Sequence, residues 1–194
     1  MNTIKFIFSS DGYWVWSIIE AAAITLTLMF VILQLKVTNN GNLLSMLSVF
    51  RSEWQSENMQ KAKAILCSGY LKRELTIGPD EEQVLGFFEQ IGLMYKHKLL
   101  NGKMVWDLYS FDINLYWLLS KDKINTIRKC QNNDTSFYAD FQRVYTLCNR
   151  ISKKKKRYYE YKTEEIEELA KMELNRIKKT NEYKKPRVNM VEVV

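Results

Sequence analysis

The chain has 194 residues, 46% of them hydrophobic, and carries 29 Lys and Arg against 22 Asp and Glu for a formal net charge of +7. That is enough for one membrane segment plus one compact domain of about 100 to 150 residues, and too little for two further soluble domains. Only 2 prolines and 7 glycines with 13% aromatics argue against a disordered or linker-rich chain, and 3 cysteines without CxxC spacing argue against a disulfide framework or a structural zinc site.

Charge is unevenly placed, since before Lys36 the only charged side chains are Lys5, Asp11 and Glu20. Residues 1–12, MNTIKFIFSSDG, form a short segment expected outside the cytoplasm. Residues 13–36 follow as a predicted transmembrane helix, YWVWSIIEAAAITLTLMFVILQLK. Its apolar run spans about 35 Å as a helix, enough for a hydrocarbon core of about 30 Å. Tyr13, Trp14 and Trp16 supply interface aromatics at one end and Lys36 a basic residue at the other. The positive-inside rule places the lysine-rich remainder on the cytoplasmic side, N-terminus out. A cleaved signal would need a basic leading region and small residues after a shorter apolar core, so the span is expected to be retained.

Glu20 is the informative residue of the span, because an intramembrane carboxylate usually faces protein or water rather than lipid. At about 100° per residue, Ser17, Ala23, Thr27 and Gln34 fall within about 60° of it, while Leu26, Met29 and Leu33 point elsewhere. Ile24 and Val31 share the face, so the stripe is mixed. It reads either as an assembly or pore face, or as a lone acid near the outer interface with Thr27 bonded to its own backbone.

Residues 37–42, VTNNGN, read as a polar linker. A helical domain then runs over 43–152. Leu43, Leu44, Leu47, Phe50, Trp54, Ala62, Ile65 and Leu66 predict an amphipathic helix over 43–67, ended by Ser68 and Gly69. Gly78, Pro79, Asp80, Glu81 and Glu82 open a second helix that closes at Asn101 and Gly102. Further helices are expected over 103–119, 121–131 and 136–153, with Asn132, Asn133 and Asp134 as a break. Residues 153–194 begin with a basic run and continue as a charged helix whose thin seam is Ile166, Leu169, Met172 and Ile177, then a tail after Pro186. No strand alternation or repeat is present, so the fold class is all-α: a transmembrane helix, a cytosolic helical bundle and a charged C-terminal helix.

Chemistry-bearing motifs are sparse. His97 is the single histidine, which excludes His-rich metal sites, and it reads as a surface residue of its helix. Nothing marks a triad around Cys67, Cys130 or Cys148. No glycine-rich phosphate loop exists. Glu81, Glu82, Glu160, Glu164, Glu165, Glu167 and Glu168 fall at helix starts or on solvated faces, so no acid–base pair stands out. An enzyme, a cofactor, a metal and a small-molecule substrate are therefore not expected. The run Lys153, Lys154, Lys155, Lys156 and Arg157 beside Tyr158 and Tyr159 reads as a lipid-facing patch, as a surface for RNA or a protein, or as a solvated helix end.

The succession of an N-terminal span, SVFRSEWQSENMQKAKAIL, QVLGFFEQIGLMYKHKLLNGKMVWDLYSFDINLYWLL and SFYADFQRVY resembles a group of small bacterial membrane proteins with a helical domain of uncharacterised function. Arg51, Phe87, Phe88, Glu89, Gly102, Trp117, Phe137, Tyr138 and Phe141 anchor that resemblance. More narrowly, the chain is similar to the CRISPR-associated membrane accessory proteins encoded beside type VI-B RNA-guided ribonucleases. This resemblance implies one span, a helical cytosolic domain and oligomerisation into a membrane pore that strengthens antiphage defence. It also implies a degenerate Arg and His nuclease motif, which is missing here because no arginine shortly precedes His97. The expectation is a homo-oligomeric pore lined by Ser17, Glu20, Ala23, Thr27 and Gln34. The alternative is a membrane-tethered module that recruits RNA or an RNA-guided ribonuclease through the basic run.

Overall fold

Six α-helices and no strand make up the described residues, 13–184, of this computed structural model, in which the side chains of Tyr13, Lys36, Asn39, Asn40, Asn42 and 181–184 are not described. The expected segments 1–12 and 187–194 lie outside the described residues. The helices are α1 Tyr13–Gln55, α2 Glu57–Leu71, α3 Pro79–Lys96, α4 Gly102–Cys130, α5 Ala139–Lys154 and α6 Thr163–Lys184. The chain divides into two compact units, 1–51 and 52–194.

In the first unit, Trp14–Leu35 is long and apolar enough to cross a membrane, with a mean hydropathy of 2.2 and none of it buried. The linker expected over 37–42 is helical, because α1 runs through it without interruption for 43 residues. A glycine inside a helix costs only about 1 kcal/mol relative to alanine, too little to break a helix that is favourable on both sides. The break comes instead at Ser56, which is extended and whose hydroxyl accepts from the Met59 N–H at 3.2 Å. The single helix expected over 43–67 is therefore two.

The second unit is the bundle. Its tightest packing sets α3 and α4 against α5, and α2 against α6 and α3. Pro79 opens α3, and Glu81 accepts from the Gly78 N–H at 2.9 Å, satisfying one of the orphan donors of a helix start. Asn101 caps α4 by accepting from the Met104 N–H at 2.8 Å, so Asn101 and Gly102 begin a helix rather than end one. The two helices expected over 103–119 and 121–131 are one, because Ser120 is buried and its hydroxyl donates to the Tyr116 carbonyl at 2.6 Å inside the helix. The break at 132–134 is present, with Asn132 and Asn133 both left-handed at φ 54° and 60°.

Three helices stop in the same way. Arg73, Lys98 and Lys156 adopt left-handed φ of 58°, 60° and 54°. The next N–H bonds back five residues in each case, Glu74 to Gly69, Leu99 to Met94 and Arg157 to Ser152, all at 2.9 Å. This is the Schellman closure, here without glycine at the left-handed position but with a cation near the negative end of the helix dipole.

Leu66, Val84, Leu85, Phe88, Ile91, Ile113, Tyr116, Ile124, Phe141 and Val144 form the fully buried core. Aromatic contacts run through it. Trp54 stacks on Phe87 at 4.7 Å between centroids, Phe88 on Phe141 at 4.9 Å, and Trp117 on Tyr145 at 5.2 Å. The seam of α6 is Ile166, Ala170, Glu173 and Ile177, all buried, while Met172 is exposed and Leu169 half-buried. The spacing of four, three and four keeps the buried set on one stripe, and Met172 lies off it.

Candidate functional site

Ser17, Glu20, Ala23, Thr27 and Gln34 all lie exposed on α1. The helix is unbroken through them, so the spacing that places them on one side is preserved. Thr25 and Thr27 donate their hydroxyls to the Ala21 and Ala23 carbonyls, each at 2.8 Å. Thr27 is thereby satisfied within its own helix and demands no polar neighbour. Glu20 and Gln34 have no side-chain partner among the described residues. Trp14 and Trp16 are exposed at the start of the span, and the Tyr13 and Lys36 side chains are outside the described set.

The basic run is a turn rather than part of the charged C-terminal helix. Lys153 and Lys154 are the last residues of α5, Lys155 is its cap and Lys156 the left-handed closure. The Lys153 ammonium lies 4.5 Å from the centre of the Tyr158 ring. Lys155 sits 3.6 Å over the Trp106 ring and 3.7 Å from an Asp107 carboxylate oxygen. Contacts of this kind at exposed sites contribute about 0.5 to 1 kcal/mol each. Lys154, Lys156 and Arg157 are exposed without an internal ion pair among the described residues. The two engaged lysines anchor the turn, and the other three carry its outward charge.

A third group lies inside the bundle. Lys63 is almost fully buried on α2, where its ammonium donates to the Trp54 carbonyl at 2.7 Å and lies 3.4 Å over the Trp54 ring. Gln60 donates to the same carbonyl at 3.0 Å. Together they satisfy a carbonyl of the last turn of α1, which has no partner within its own helix. Burial lowers the Lys63 pKa to about 8 against the pull of Asp112 and Glu173. Burial also raises the Asp112 carboxyl. Glu173 accepts from the Tyr116 hydroxyl at 3.0 Å and from Arg176 Nε at 2.7 Å. These groups set opposite charges against one another at the junction of α2, α4 and α6 and fasten the three helices.

Three further polar contacts hold the bundle together. Lys123 and Glu81 pair at 2.6 Å with side chains only 2% and 5% exposed, so Glu81 is buried rather than on a solvated helix start. Glu89 reaches from α3 to accept from the Asp140 and Phe141 N–H groups at 3.2 and 2.7 Å, capping the start of α5. Arg128 clasps the Phe137 carbonyl through Nε and Nη2 at 3.0 and 2.7 Å. Most anchors of the family resemblance thus have structural work: Phe87, Phe88, Trp117 and Phe141 in the aromatic core, Glu89 at a helix start, Tyr138 in a left-handed turn at φ 54°. His97 caps α3 and is exposed. Cys67 and Cys148 are buried free thiols whose pKa burial raises to about 12, while Cys130 is free and exposed. Among the described residues no three His, Cys, Asp or Glu side chains gather to hold a metal.

No protein-family model, curated protein or solved structure matches the chain.

The sequence held one signal for the buried lysines. Lys63 falls at helical spacing from Met59 and Leu66, and Lys123 from Tyr116 and Leu119, so each lies on an apolar face. The pH dependence of stability follows. Between about pH 8 and 9 the unfolded chain keeps a proton that folded Lys63 has released, so stability rises with pH; above about 9 unfolded thiols ionise while buried Cys67 and Cys148 stay protonated, so it falls. Urea midpoints of the detergent-solubilised chain should therefore peak near pH 9, and Lys63→Met should remove the rise while keeping the fall. A profile identical in the variant would contradict this assignment.

Proposed function

We propose that this chain is a single-span inner-membrane protein that assembles with copies of itself along the Glu20 side of α1. Its N-terminus faces outward and its helical domain the cytoplasm, and the assembly is a pore-type effector of CRISPR-linked antiphage defence that depolarises the membrane. The observation that carries this reading is the Glu20 carboxylate, exposed on a span with no buried residue and without a partner among the described residues. A carboxylate in hydrocarbon is costly, and a second copy or enclosed water relieves that cost. Gln34 lies on the same side and adds a second group able to hydrogen-bond between spans. The charge excess after Lys36 supports the orientation.

The test is depolarisation of cells expressing the chain, read with a voltage-sensitive dye, alongside mass photometry in detergent. Glu20→Leu should cut depolarisation at least several-fold, whereas Thr27→Leu should change it little because that hydroxyl is bonded to Ala23. Unchanged depolarisation in Glu20→Leu, or a monomer in detergent, would sink the pore reading. A membrane-tethered module recruiting RNA or an RNA-guided ribonuclease is the second reading, supported by the outward charge of Lys154, Lys156 and Arg157. It predicts a membrane-bound wild-type chain that never depolarises the cell.

A further inference from the structure

Where α4, α5 and the connection leading into α6 meet, the bundle leaves a cavity of about 190 Å³. That is smaller than the roughly 300 Å³ at which pockets begin to enclose a drug-sized ligand, so it suits one flat ring system whose remaining atoms stay outside. Asn114 and Lys121 reach it from one face of α4, seven residues apart, and Tyr145 and Asn149 from one face of α5, four residues apart. Tyr158, Tyr159 and Tyr161 come from the connection.

Three features of this cavity point to a ligand. The Asn114 Oδ1 atom is buried and accepts no hydrogen bond, an arrangement that folded proteins rarely tolerate without a reason. The Asn149 carboxamide, half-buried on the opposite helix, also has no hydrogen bond among the described residues. A carboxamide offers a donor and an acceptor side by side, the pattern that reads the edge of a nucleobase.

The aromatic wall is held in place before any ligand arrives. Tyr145 is stacked on Trp117 at 5.2 Å. The Tyr159 hydroxyl donates to Glu165 at 2.5 Å, and Tyr161 packs edge-on against Tyr159 at 5.0 Å. Glu165 is itself fixed, since its other oxygen accepts from the Lys162 N–H at 2.8 Å at the start of α6. Fixed tyrosine rings are stacking platforms for bases.

Charge completes the pattern. Lys121 is exposed at the cavity without an ion pair among the described residues, and Lys154, Lys156 and Arg157 follow on the turn just before Tyr158. Glu160 also lines the cavity and can accept from ribose hydroxyls.

We infer that this cavity binds a nucleotide, its base stacked among the tyrosines and read by Asn114 and Asn149, with its phosphate outside against Lys121 and the basic turn. The nucleotide is either free or one residue of an RNA strand. The inference does not depend on pore formation.

The test is titration of the full chain in detergent or nanodiscs with AMP, GMP, CMP and UMP, and with fluorescein-labelled single-stranded RNA homopolymers. Asn114→Leu, Asn149→Leu and Tyr158→Ala should each weaken binding about tenfold, and Lys121→Gln should weaken it and reduce its salt dependence. Asn114→Leu should melt no lower than the wild type, because it removes a buried unpaired carbonyl. Binding of a mononucleotide identifies a free ligand, and binding of the strand alone identifies RNA; either supports the site. No binding of any probe at millimolar concentration overturns it. So does binding that Asn149→Leu and Tyr158→Ala leave unchanged, even if Asn114→Leu fails to fold.

Discussion

Lys123→Met is expected to destabilise the helical domain by about 3 to 5 kcal/mol, the range for removing one partner of a buried ion pair. The Lys123 ammonium lies 2.6 Å from Glu81 and also donates to the Thr76 carbonyl at 3.0 Å. Without it, the Glu81 carboxylate stays buried and unneutralised, and the Thr76 carbonyl loses a donor. Glu81 cannot swing away cheaply, because its second oxygen accepts from the Gly78 N–H at 2.9 Å and secures the start of α3. The double variant Lys123→Met with Glu81→Gln should recover part of the loss, since the amide still accepts from Gly78 and is uncharged. Urea unfolding of the detergent-solubilised chain, followed by tryptophan fluorescence, measures both. A loss under about 1 kcal/mol in Lys123→Met would mean that water reaches the pair and screens it.

Gly92→Ala is expected to be the most damaging single methyl group in the bundle, at or above the 1 to 3 kcal/mol usual for overpacking. A Cβ at Gly92 would collide with the Asp140 carbonyl group. The obstacle is backbone, and that backbone is held by the two bonds from Glu89 to the Asp140 and Phe141 N–H groups. Neither side can yield without separating α3 from α5, one of the closest helix pairs of the unit. Gly86→Ala is the internal control. It lies in the same helix, is exposed, and a Cβ there meets nothing within 4 Å. It should gain up to about 1 kcal/mol from helix propensity. Opposite signs for two identical changes six residues apart would show that close approach, not backbone freedom, selects glycine at 92.

Gly69 carries the same lesson. It reads as a helix terminator in the sequence but lies inside α2, where a Cβ would stand 2.8 Å from the Lys123 ammonium and 2.9 Å from Glu81. The true ends of α2, α3 and α5 carry Arg73, Lys98 and Lys156 in left-handed conformations. Gly69 and Gly92 therefore mark interhelical contact, whereas Gly78 caps the start of α3 and Gly86 meets nothing within 4 Å, which is why glycine left the helix boundaries partly illegible. The break at Asn132 and Asn133 was legible because asparagine tolerates the left-handed region through its own local chemistry. The polar segment at 37–42 was misleading for the reverse reason. Its residues are weak helix formers, and weak local preference yields to a helix already propagating on either side.

The candidate sites divide along the same line. The alignment of Glu20 with Ser17, Ala23, Thr27 and Gln34 follows from spacing within one helix and could be read directly. The cavity of Asn114, Asn149 and the tyrosines could not, because its members come from three elements whose meeting depends on how α4 and α5 pack. The basic run was visible as composition, but the capture of Lys155 by Trp106 and Asp107, more than forty positions earlier, was not.

The sequence by itself determined the apolar helix Trp14–Leu35, the all-α class, the sign and placement of the charge excess, and the lack of a paired histidine or a phosphate loop. These are local or additive properties: hydropathy and charge sum over neighbouring residues whatever the rest of the chain does. Tertiary structure alone decided that Lys63, Lys123 and Glu81 are buried, that Gly69 and Gly92 sit at helix crossings, and that Asn114 is left with an unpaired buried oxygen. Each of those is a relation between helices distant in sequence, and its free energy exists only once their surfaces have met.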